Sequence, residues 1–262
     1  MGSLKRRAFS AAVAAAIAVA APAGAEGGVD EVLACVRKNA PLAAIEQSVE
    51  LVSADRDGRE VTRAAKLYAK RGAEGLGRVM LRVEEPADLR GTTFLVVQKR
   101  DGVEMYVYLP ELGKVKRVSA RQVRGRLLGS DFSYEELERV YGQAGAVGAV
   151  RLPDGDRAGR PVFVIEAAPP EGSAYAKVVT AVDRETCVPL EIAFYAKPDA
   201  PGKVLSVDPS RITREGDVWV PRLVRIRDLE KQTESRLETH AIRVDPDLSD
   251  SMFTPASLEM KR

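Results

Sequence analysis

The chain has 262 residues, of which 40 are lysine or arginine and 38 are aspartate or glutamate. Three of these bases lie within residues 1–25, which contain no acid, so residues 26–262 carry 37 bases and 38 acids. This balance excludes the domain-wide basic surface that a nucleic-acid partner requires. The length suits a single large β-rich domain over residues 26–262.

Residues 1–25 have the pattern of a signal peptide. Residues 5–7 are basic, an alanine-rich apolar run follows, and residues 23–25 are the small residues of a cleavage site. The run is too short for a lasting transmembrane helix. We therefore expect cleavage near Ala25 and a protein free in the periplasm. Ordinary secretion fits better than twin-arginine export, although Arg6-Arg7 matches part of that signal.

A first helix is predicted at 29–39, where Val32, Leu33 and Val36 recur at helical spacing before Pro41. Most of the remaining chain alternates with a period of two, which predicts an antiparallel meander. Its strands are predicted at 45–55, 61–70, 78–84, 92–98, 103–109, 161–167, 175–183, 189–196, 203–214, 217–228 and 233–244.

A second helix is predicted from Tyr134 to about Tyr141. Ser133 and Glu136 form a capping box at its start, and Gly142 ends it. Residues 142–159 are rich in glycine and alanine and contain Pro-Asp-Gly-Asp, which indicates a connection between two groups of strands.

The hairpin at 92–109 is predicted to turn at Asp101-Gly102, with Lys99 opposite Glu104. Alternation then puts five apolar residues on one face, and a globular sheet buries one such face. The five residues are Phe94, Val96, Met105, Val107 and Leu109.

Cys35 and Cys187 are the only cysteines, and export to an oxidising compartment favours a disulfide between them. Two separate buried thiols are the alternative. With no further cysteines and one histidine, the sequence indicates no metal site, and nothing in it indicates a cofactor.

The sequence lacks a catalytic constellation. His240, the single histidine, lies in an alternating strand and is interpreted as an outward strand residue. The adjacent acids Glu135 and Glu136 are interpreted as solvated, because neighbouring helix positions point apart. No phosphate-binding or dinucleotide motif is present. The protein is therefore not expected to be an enzyme.

The stretch GRLLGSDFSYEEL at 125–137 holds Leu127 and Leu128 between two glycines, after a run of bases without acids. We interpret it as a lid whose leucines cover an apolar opening, with Arg121, Arg124 and Arg126 meeting anionic head groups. Two alternatives stay open. The leucines plug the core beneath an immobile loop, and the bases form a solvated strand edge.

Several blocks of the chain resemble the LolA-like outer-membrane lipoprotein-sorting protein family. The likeness extends over nearly all of residues 26–262. The blocks are LRGTTFL at 89–95, MYVYLPEL at 105–112, GSDFSYEEL at 129–137, and MFTP at 252–255 followed by Leu258.

The resemblance implies an α+β fold of mainly antiparallel β structure: a strongly curved incomplete β-barrel whose short helices cover the concave face and an apolar cavity. It also implies a monomeric periplasmic carrier of lipid or lipoprotein acyl chains, with transient membrane contact. The apolar hairpin face at 92–109 would then be the concave, lipid-binding side, and plain core packing is an equally good explanation of that face. Such a carrier would work between an inner-membrane exporter and an outer-membrane acceptor. The alternative function is a periplasmic sensor or assembly protein that acts through protein contacts on the same fold.

Overall fold

The structure is a computed structural model that describes residues 28–39, 44–72, 74–100, 102–119, 125–140, 148–169 and 173–259. The predicted signal peptide lies outside these ranges, as do Arg121 and Arg124 of the basic run. Within the described ranges, no helix has the length and apolar character needed to cross a membrane.

The described residues form two α-helices and fifteen β-strands. The helices are α1 (Val29–Lys38) and α2 (Tyr134–Val140). The strands are β1 (Ala44–Ala54), β2 (Glu60–Arg71), β3 (Gly77–Glu85), β4 (Thr93–Lys99), β5 (Gly102–Leu109), β6 (Lys114–Arg117), β7 (Val150–Arg157), β8 (Arg160–Ala167), β9 (Lys177–Asp183), β10 (Pro189–Tyr195), β11 (Lys203–Val207), β12 (Ile212–Glu215), β13 (Val218–Pro221), β14 (Leu223–Asp228) and β15 (Thr233–Val244).

Among the described strands, thirteen form one antiparallel sheet in the order β6-β5-β4-β3-β2-β1-β15-β14-β11-β10-β9-β8-β7. Two meanders, one from each part of the chain, meet where β1 pairs with β15. The sheet is curved but does not close, since β6 and β7 remain its edges. The prediction of a mainly antiparallel incomplete barrel is confirmed.

Contacts at the start of α2 show which face is concave. Tyr134 packs against Phe94 of β4 with ring centroids 5.8 Å apart. Two residues on, Glu136 accepts a hydrogen bond from Lys203 of β11 over 3.0 Å. In a flat sheet, β4 and β11 would lie roughly 29 Å apart, at about 4.8 Å per strand. One helical turn contacts both strands, so the sheet curls around it.

Several sequence-based boundaries differ from the structure. β6 is absent from the predicted strands, and the strand predicted at 217–228 is divided into β13 and β14, which lie in different sheets. The predicted connection at 142–159 contains β7, an edge strand with a register shift between Leu152 and Gly155. An edge strand tolerates Pro153 because its outward side needs no ladder hydrogen bond. The predicted strand at 203–214 is broken by a short 3-10 turn at Pro209–Arg211, since proline has no N–H to donate.

Alternation along each strand sends apolar side chains to both faces of the sheet. On the concave face, Leu67, Leu127, Phe132 and Phe194 belong to one large cluster that includes residues of most strands. On the convex face, 3-10 turns within residues 250–259 cover a second cluster that contains Leu95.

The two helices lie on opposite faces. Tyr134 of α2 belongs to the concave cluster, as the fold prediction requires. Val32 of α1 instead packs with Ile165 and Val182 on the convex face. Ile165 follows Val164, which belongs to the concave cluster, so alternation places α1 outside the barrel. Of the two described helices, α2 therefore covers the concave side.

A disulfide joins Cys35 of α1 to Cys187, in the turn between β9 and β10, with the Cα atoms 5.2 Å apart. The predicted pairing is confirmed. Asn39, at the end of α1, adds a second attachment, because its side-chain oxygen accepts a hydrogen bond from the Trp219 N–H over 2.9 Å. These links hold α1 on the convex face.

Removal of the disulfide should destabilise the whole fold. The bridge closes a loop with a sequence separation of 152. For that loop size we expect the free energy of unfolding to fall by about 4 to 5 kcal/mol in a Cys35→Ser, Cys187→Ser variant. Urea unfolding followed by circular dichroism measures the change. A loss below about 1 kcal/mol would contradict this role.

Candidate functional site on the concave face

The β4–β5 hairpin has the predicted faces in a different register. Lys99 pairs with Gly102, not with Glu104, and Val96 pairs with Met105. Gly102 adopts a φ of 145° within the strand, a conformation open to glycine, so it joins the ladder rather than the turn. Each β4 residue therefore pairs with a β5 residue two positions earlier in the chain than predicted. Because side chains alternate with a period of two, the two faces are unchanged.

The five residues predicted to bind lipid differ in depth. Phe94, Val96 and Met105 belong to or pack against the concave cluster, and Met105 is only 1% exposed. Val107, opposite Phe94, and Leu109 are half-buried. Alternation places all five on one side, with Val107 and Leu109 nearer the hairpin's open end. Their role in lipid binding stays a prediction.

Residues 126–137, here called the covering segment, lie over the concave cluster. Leu127 is 2% exposed and belongs to that cluster. Its N–H donates to the Phe132 carbonyl over 2.7 Å, and its own carbonyl accepts from the N–H and hydroxyl of Ser130. Phe132 is fully buried. The segment is thus a closed turn with an apolar underside, and Leu127 is a core side chain in this conformation.

Leu128 is held differently from Leu127. Its φ is 52°, a left-handed conformation that costs a leucine about 1 kcal/mol or more. Its side chain is half-buried and lines a small cavity. The two leucines are equivalent in the sequence pattern, but their surroundings in the structure differ. Movement of the segment as a lid stays a prediction.

Two small cavities lie between the covering segment and the sheet. The larger, about 20 Å³, has only apolar neighbours and Tyr134 around it, and it is about the size that one or two water molecules need. The smaller, about 10 Å³, is bordered by Arg63 and Leu128. The side chains of the covering segment therefore occupy most of the space between these lining residues. The larger cavity is lined by Leu67, Val79, Leu81, Phe94, Val96, Leu127, Tyr134 and Leu137.

A buried carboxylate ties the covering segment to β15. Asp131 is 1% exposed. It accepts hydrogen bonds from Thr233 over 2.7 Å, from Ser235 over 2.9 Å and from Arg126 over 3.0 Å. The Asp131 N–H also donates to the Ser235 hydroxyl over 2.9 Å. These donors offset the cost of burying the carboxylate.

A second buried carboxylate ties α2 to the other half of the sheet. Glu136 accepts from the Lys203 ammonium over 3.0 Å, from the Tyr175 hydroxyl and from the Ser133 N–H. The Ser133 contact is one half of the predicted capping box. Burial, and then the nearby charge of Glu136, raise the pKa of Tyr175, so Tyr175 keeps the proton that it donates.

The sequence did not reveal these two networks. Glu136 was interpreted as solvated, and that interpretation is wrong, because its side chain is fully buried. Lys203 lies 67 positions away and Ser235 lies 104 positions from Asp131. The capping box was the one local signal, since it directs the Glu136 carboxylate back toward the helix start.

The bases between Leu112 and Gly129, here called the basic run, lie in different surroundings. Lys114, Lys116 and Arg117 are exposed on edge strand β6, and Arg117 pairs with Glu104 over 3.0 Å. This matches the alternative of a solvated strand edge for these three residues. Arg126 is attached to Asp131 over 3.0 Å. Head-group contact by this run stays a prediction, and Arg121 and Arg124 lie outside the described residues.

His240 is an exposed residue of β15, where the sequence placed it, and its ring nitrogen lies 3.9 Å from the Glu50 carboxylate. It lies far along the sequence from Asp131 and Glu136, the buried acids of the covering segment, and its side chain faces solvent. Among the described residues, no group of three His, Cys, Asp or Glu side chains is arranged to hold a metal ion.

Solved structures share this architecture. A domain from Vibrio parahaemolyticus described as an outer membrane lipoprotein-sorting protein superimposes with a TM-score of 0.81 and 24% identity, covering 90% of this chain and 100% of that one. A DUF1329 family protein from Desulfovibrio piger gives 0.78 and 22%, covering 88% and 99%. A LolA superfamily protein from Nitrosomonas europaea gives 0.68 and 19%, covering 87% and 98%.

The family model described as "-like: Uncharacterized protein" matches residues 75–260. The chain belongs to this family, and its fold is LolA-like. The match includes the hairpin and the covering segment, whereas β1 and β2, which also contribute to the concave cluster, lie before it. The search of curated proteins found no match. The resemblance inferred from the sequence blocks is confirmed.

Loss of the Glu136 charge should destabilise the LolA-like fold. A Glu136→Gln variant leaves Lys203 buried beside a neutral amide, and a broken buried ion pair costs about 3 to 5 kcal/mol. Urea unfolding measures the change. Arg211 pairs with Glu238 at the exposed surface, so Glu238→Gln is the matched control with a change below about 1 kcal/mol. Equal losses in both variants would contradict the proposed importance of the buried pair.

The two leucines of the covering segment should respond differently to truncation. Leu127→Ala should lower the free energy of unfolding by about 2 to 5 kcal/mol, because it removes a side chain that is buried in the concave cluster. Leu128→Ala should cost markedly less, since that side chain is only half-buried. Thermal and urea unfolding of the two variants provide the comparison. A larger loss for Leu128→Ala would contradict these surroundings.

Proposed function

We propose that the protein is a periplasmic carrier that binds the acyl chains of a lipid or lipoprotein on its concave face and moves them toward the outer membrane. The main observation that supports this proposal is the large apolar cluster inside the open sheet, which is covered by a segment that is not part of the sheet. The signal-peptide pattern of residues 1–25 supports export. The LolA-like fold supports a carrier, because two of the matched structures are described as lipoprotein-sorting or LolA superfamily proteins.

The cargo chain takes the place of the side chains that now fill the concave face. The cavities of about 20 Å³ and about 10 Å³ are far too small for an acyl chain. Asp131 and Glu136 attach the later part of the covering segment to the sheet. The part that moves is therefore the turn around Leu127 and Leu128, next to its fixed end at Asp131.

The energetics allow this exchange. Lifting two leucines from apolar surroundings costs about 2 kcal/mol each. An incoming chain gains about 0.8 kcal/mol for each methylene removed from water, so more than about five methylenes offset that cost. Release to a membrane reverses the exchange, because the leucines refill the space. No covalent step is required.

Transfer begins and ends at membranes in this proposal. An inner-membrane exporter supplies the cargo and an outer-membrane acceptor receives it, with the protein acting as a monomer between them. The bases of β6, exposed at the sheet edge beside the hairpin, supply the charge for brief contact with anionic lipid.

Two neighbouring valines test which face binds lipid. Val96 and Val97 are each 8% exposed, but Val96 belongs to the concave cluster and Val97 to the convex one. A Val→Thr change keeps the volume and adds a hydroxyl, which costs about 1 to 2 kcal/mol against hydrocarbon. We expect Val96→Thr to weaken binding of dodecyl maltoside about fivefold or more. Val97→Thr should leave it unchanged.

Isothermal titration calorimetry measures that affinity below the micelle concentration. Lipid extraction and mass spectrometry of protein exported in a Gram-negative host give the bound lipid per protein. Both variants should lose similar stability, which makes each the control of the other. Equal affinity losses would contradict the concave site. Wild-type protein that binds neither amphiphile nor lipid, but one protein partner, would favour the sensor function instead.

A further inference from the structure

One cation borders the concave cavity without a carboxylate partner. Arg63 lies on β2, on the same face of the strand as Ala65 and Leu67, two residues of the concave cluster. It lines the smaller cavity together with Leu127 and Leu128. Its guanidinium therefore lies at the boundary between the sheet and the moving part of the covering segment.

The hydrogen-bonding capacity of Arg63 is only partly used. One terminal nitrogen meets the Ser53 hydroxyl and the Val61 carbonyl, each at the long distance of 3.4 Å. Its Nε atom is buried and has no hydrogen-bond partner among the described residues. Within the same part of the chain, no carboxylate oxygen lies within 4.0 Å of the guanidinium. A guanidinium offers five donors, so most of them remain available.

The surroundings favour an anion at this position. Burial lowers the pKa of Arg63, the nearby charge of Asp88 raises it, and the charge of Arg126 lowers it. Asp88 is exposed in the loop after β3 and forms no ion pair with Arg63. A guanidinium that borders apolar side chains and has no carboxylate within ion-pair distance gains from an anionic partner.

Arg126 is not an equivalent site, because it is already paired with a buried carboxylate. It holds the Asp131 carboxylate over 3.0 Å and the Ser130 carbonyl over 2.9 Å. At Gly129, a Cβ atom would lie 3.5 Å from a terminal nitrogen of Arg63. The backbone of the covering segment thus passes beside the Arg63 guanidinium, and displacement of the Leu127–Leu128 turn uncovers it.

We propose that Arg63 binds the anionic phosphate or carboxylate head group of an amphiphile whose chain enters the concave face, a proposal that rests on the carrier function above. The planar guanidinium forms two parallel hydrogen bonds with such a group. The chain replaces the leucine side chains while the anion meets the donors that the sheet leaves unused. Arg63 then selects anionic amphiphiles over neutral ones of equal chain length.

Calorimetry with two amphiphiles of equal chain length tests this selection. The probes are dodecyl phosphate and dodecyl maltoside, each below its micelle concentration, with inorganic phosphate as a third titrant. In Arg63→Gln, dodecyl phosphate should bind about tenfold more weakly, the loss expected for one charge-assisted contact. Dodecyl maltoside should bind as it does to the wild type. Arg63→Lys should retain most of the preference for the anion.

Lys66→Gln is the matched control. Lys66 lies three positions along the same strand with the opposite facing, and it contacts the Ser48 hydroxyl over 2.6 Å. The variant removes the same charge, so a long-range electrostatic effect would weaken dodecyl phosphate binding in both. We expect wild-type affinity for both probes in Lys66→Gln. Circular dichroism melting establishes that each variant is folded.

The outcomes separate this site from the carrier function. Unchanged dodecyl phosphate affinity in Arg63→Gln, with normal binding of dodecyl maltoside, overturns the head-group site and leaves the carrier intact. Binding of inorganic phosphate to the wild type but not to Arg63→Gln, without binding of either amphiphile, supports an anion site for free phosphate and overturns the carrier. Absence of binding by all three titrants overturns both.

Discussion

The concave site depends on two buried carboxylates that hold a short segment inside a curved sheet. Asp131 is bound by β15 near the centre of the sheet, and Glu136 by Lys203 on β11. An unpaired charge in such surroundings would be prohibitively costly, so the donors on the sheet fix where the segment can lie. Once the segment is fixed, Phe132 and Tyr134 are placed in the apolar core. The same attachment limits movement to the residues before Asp131.

This arrangement gives the two faces of one sheet different tasks. The convex face is covered by α1, which the disulfide and Asn39 attach, and by the turns at 250–259. Among the described residues, the covering segment lies over the concave face and is held at one end by the two carboxylates. Apolar burial on the convex side stabilises the fold permanently. On the concave side, the same apolar surface is covered by a turn that includes a residue in a left-handed conformation, Leu128.

The proposed carrier function requires that the last step of closure is held weakly. Leu127 contributes core packing, yet Leu128 costs backbone strain and leaves a cavity beneath it. A carrier must bind its cargo and also release it, so the free energies of the closed and loaded forms have to be similar. Exchange of a few leucine contacts for a few methylenes meets that condition. A rigid, fully packed core across the whole concave face would not.

The sequence alone determined the elements and their facing, because these depend on local periodicity. Alternation located most strands and separated Phe94, Val96 and Met105 from Leu95 and Val97, and this separation survived an error of register, since a shift by two positions keeps every side chain on its face. The capping box located α2. The disulfide was predictable because the chain has two cysteines and the pattern of a signal peptide. The blocks at 89–95 and 129–137 indicated the LolA-like fold.

Only the tertiary structure decided which residues meet across the curve of the sheet. Glu136 could not be distinguished from a solvated acid until Lys203 and Tyr175 were placed beside it, and Arg63 showed no sign of lying at a cavity. Long-range contacts depend on curvature and on the path of the covering segment, neither of which leaves a periodic signal in the chain. Local patterns therefore fix the face on which a side chain lies, while its partners are set by contacts between distant segments.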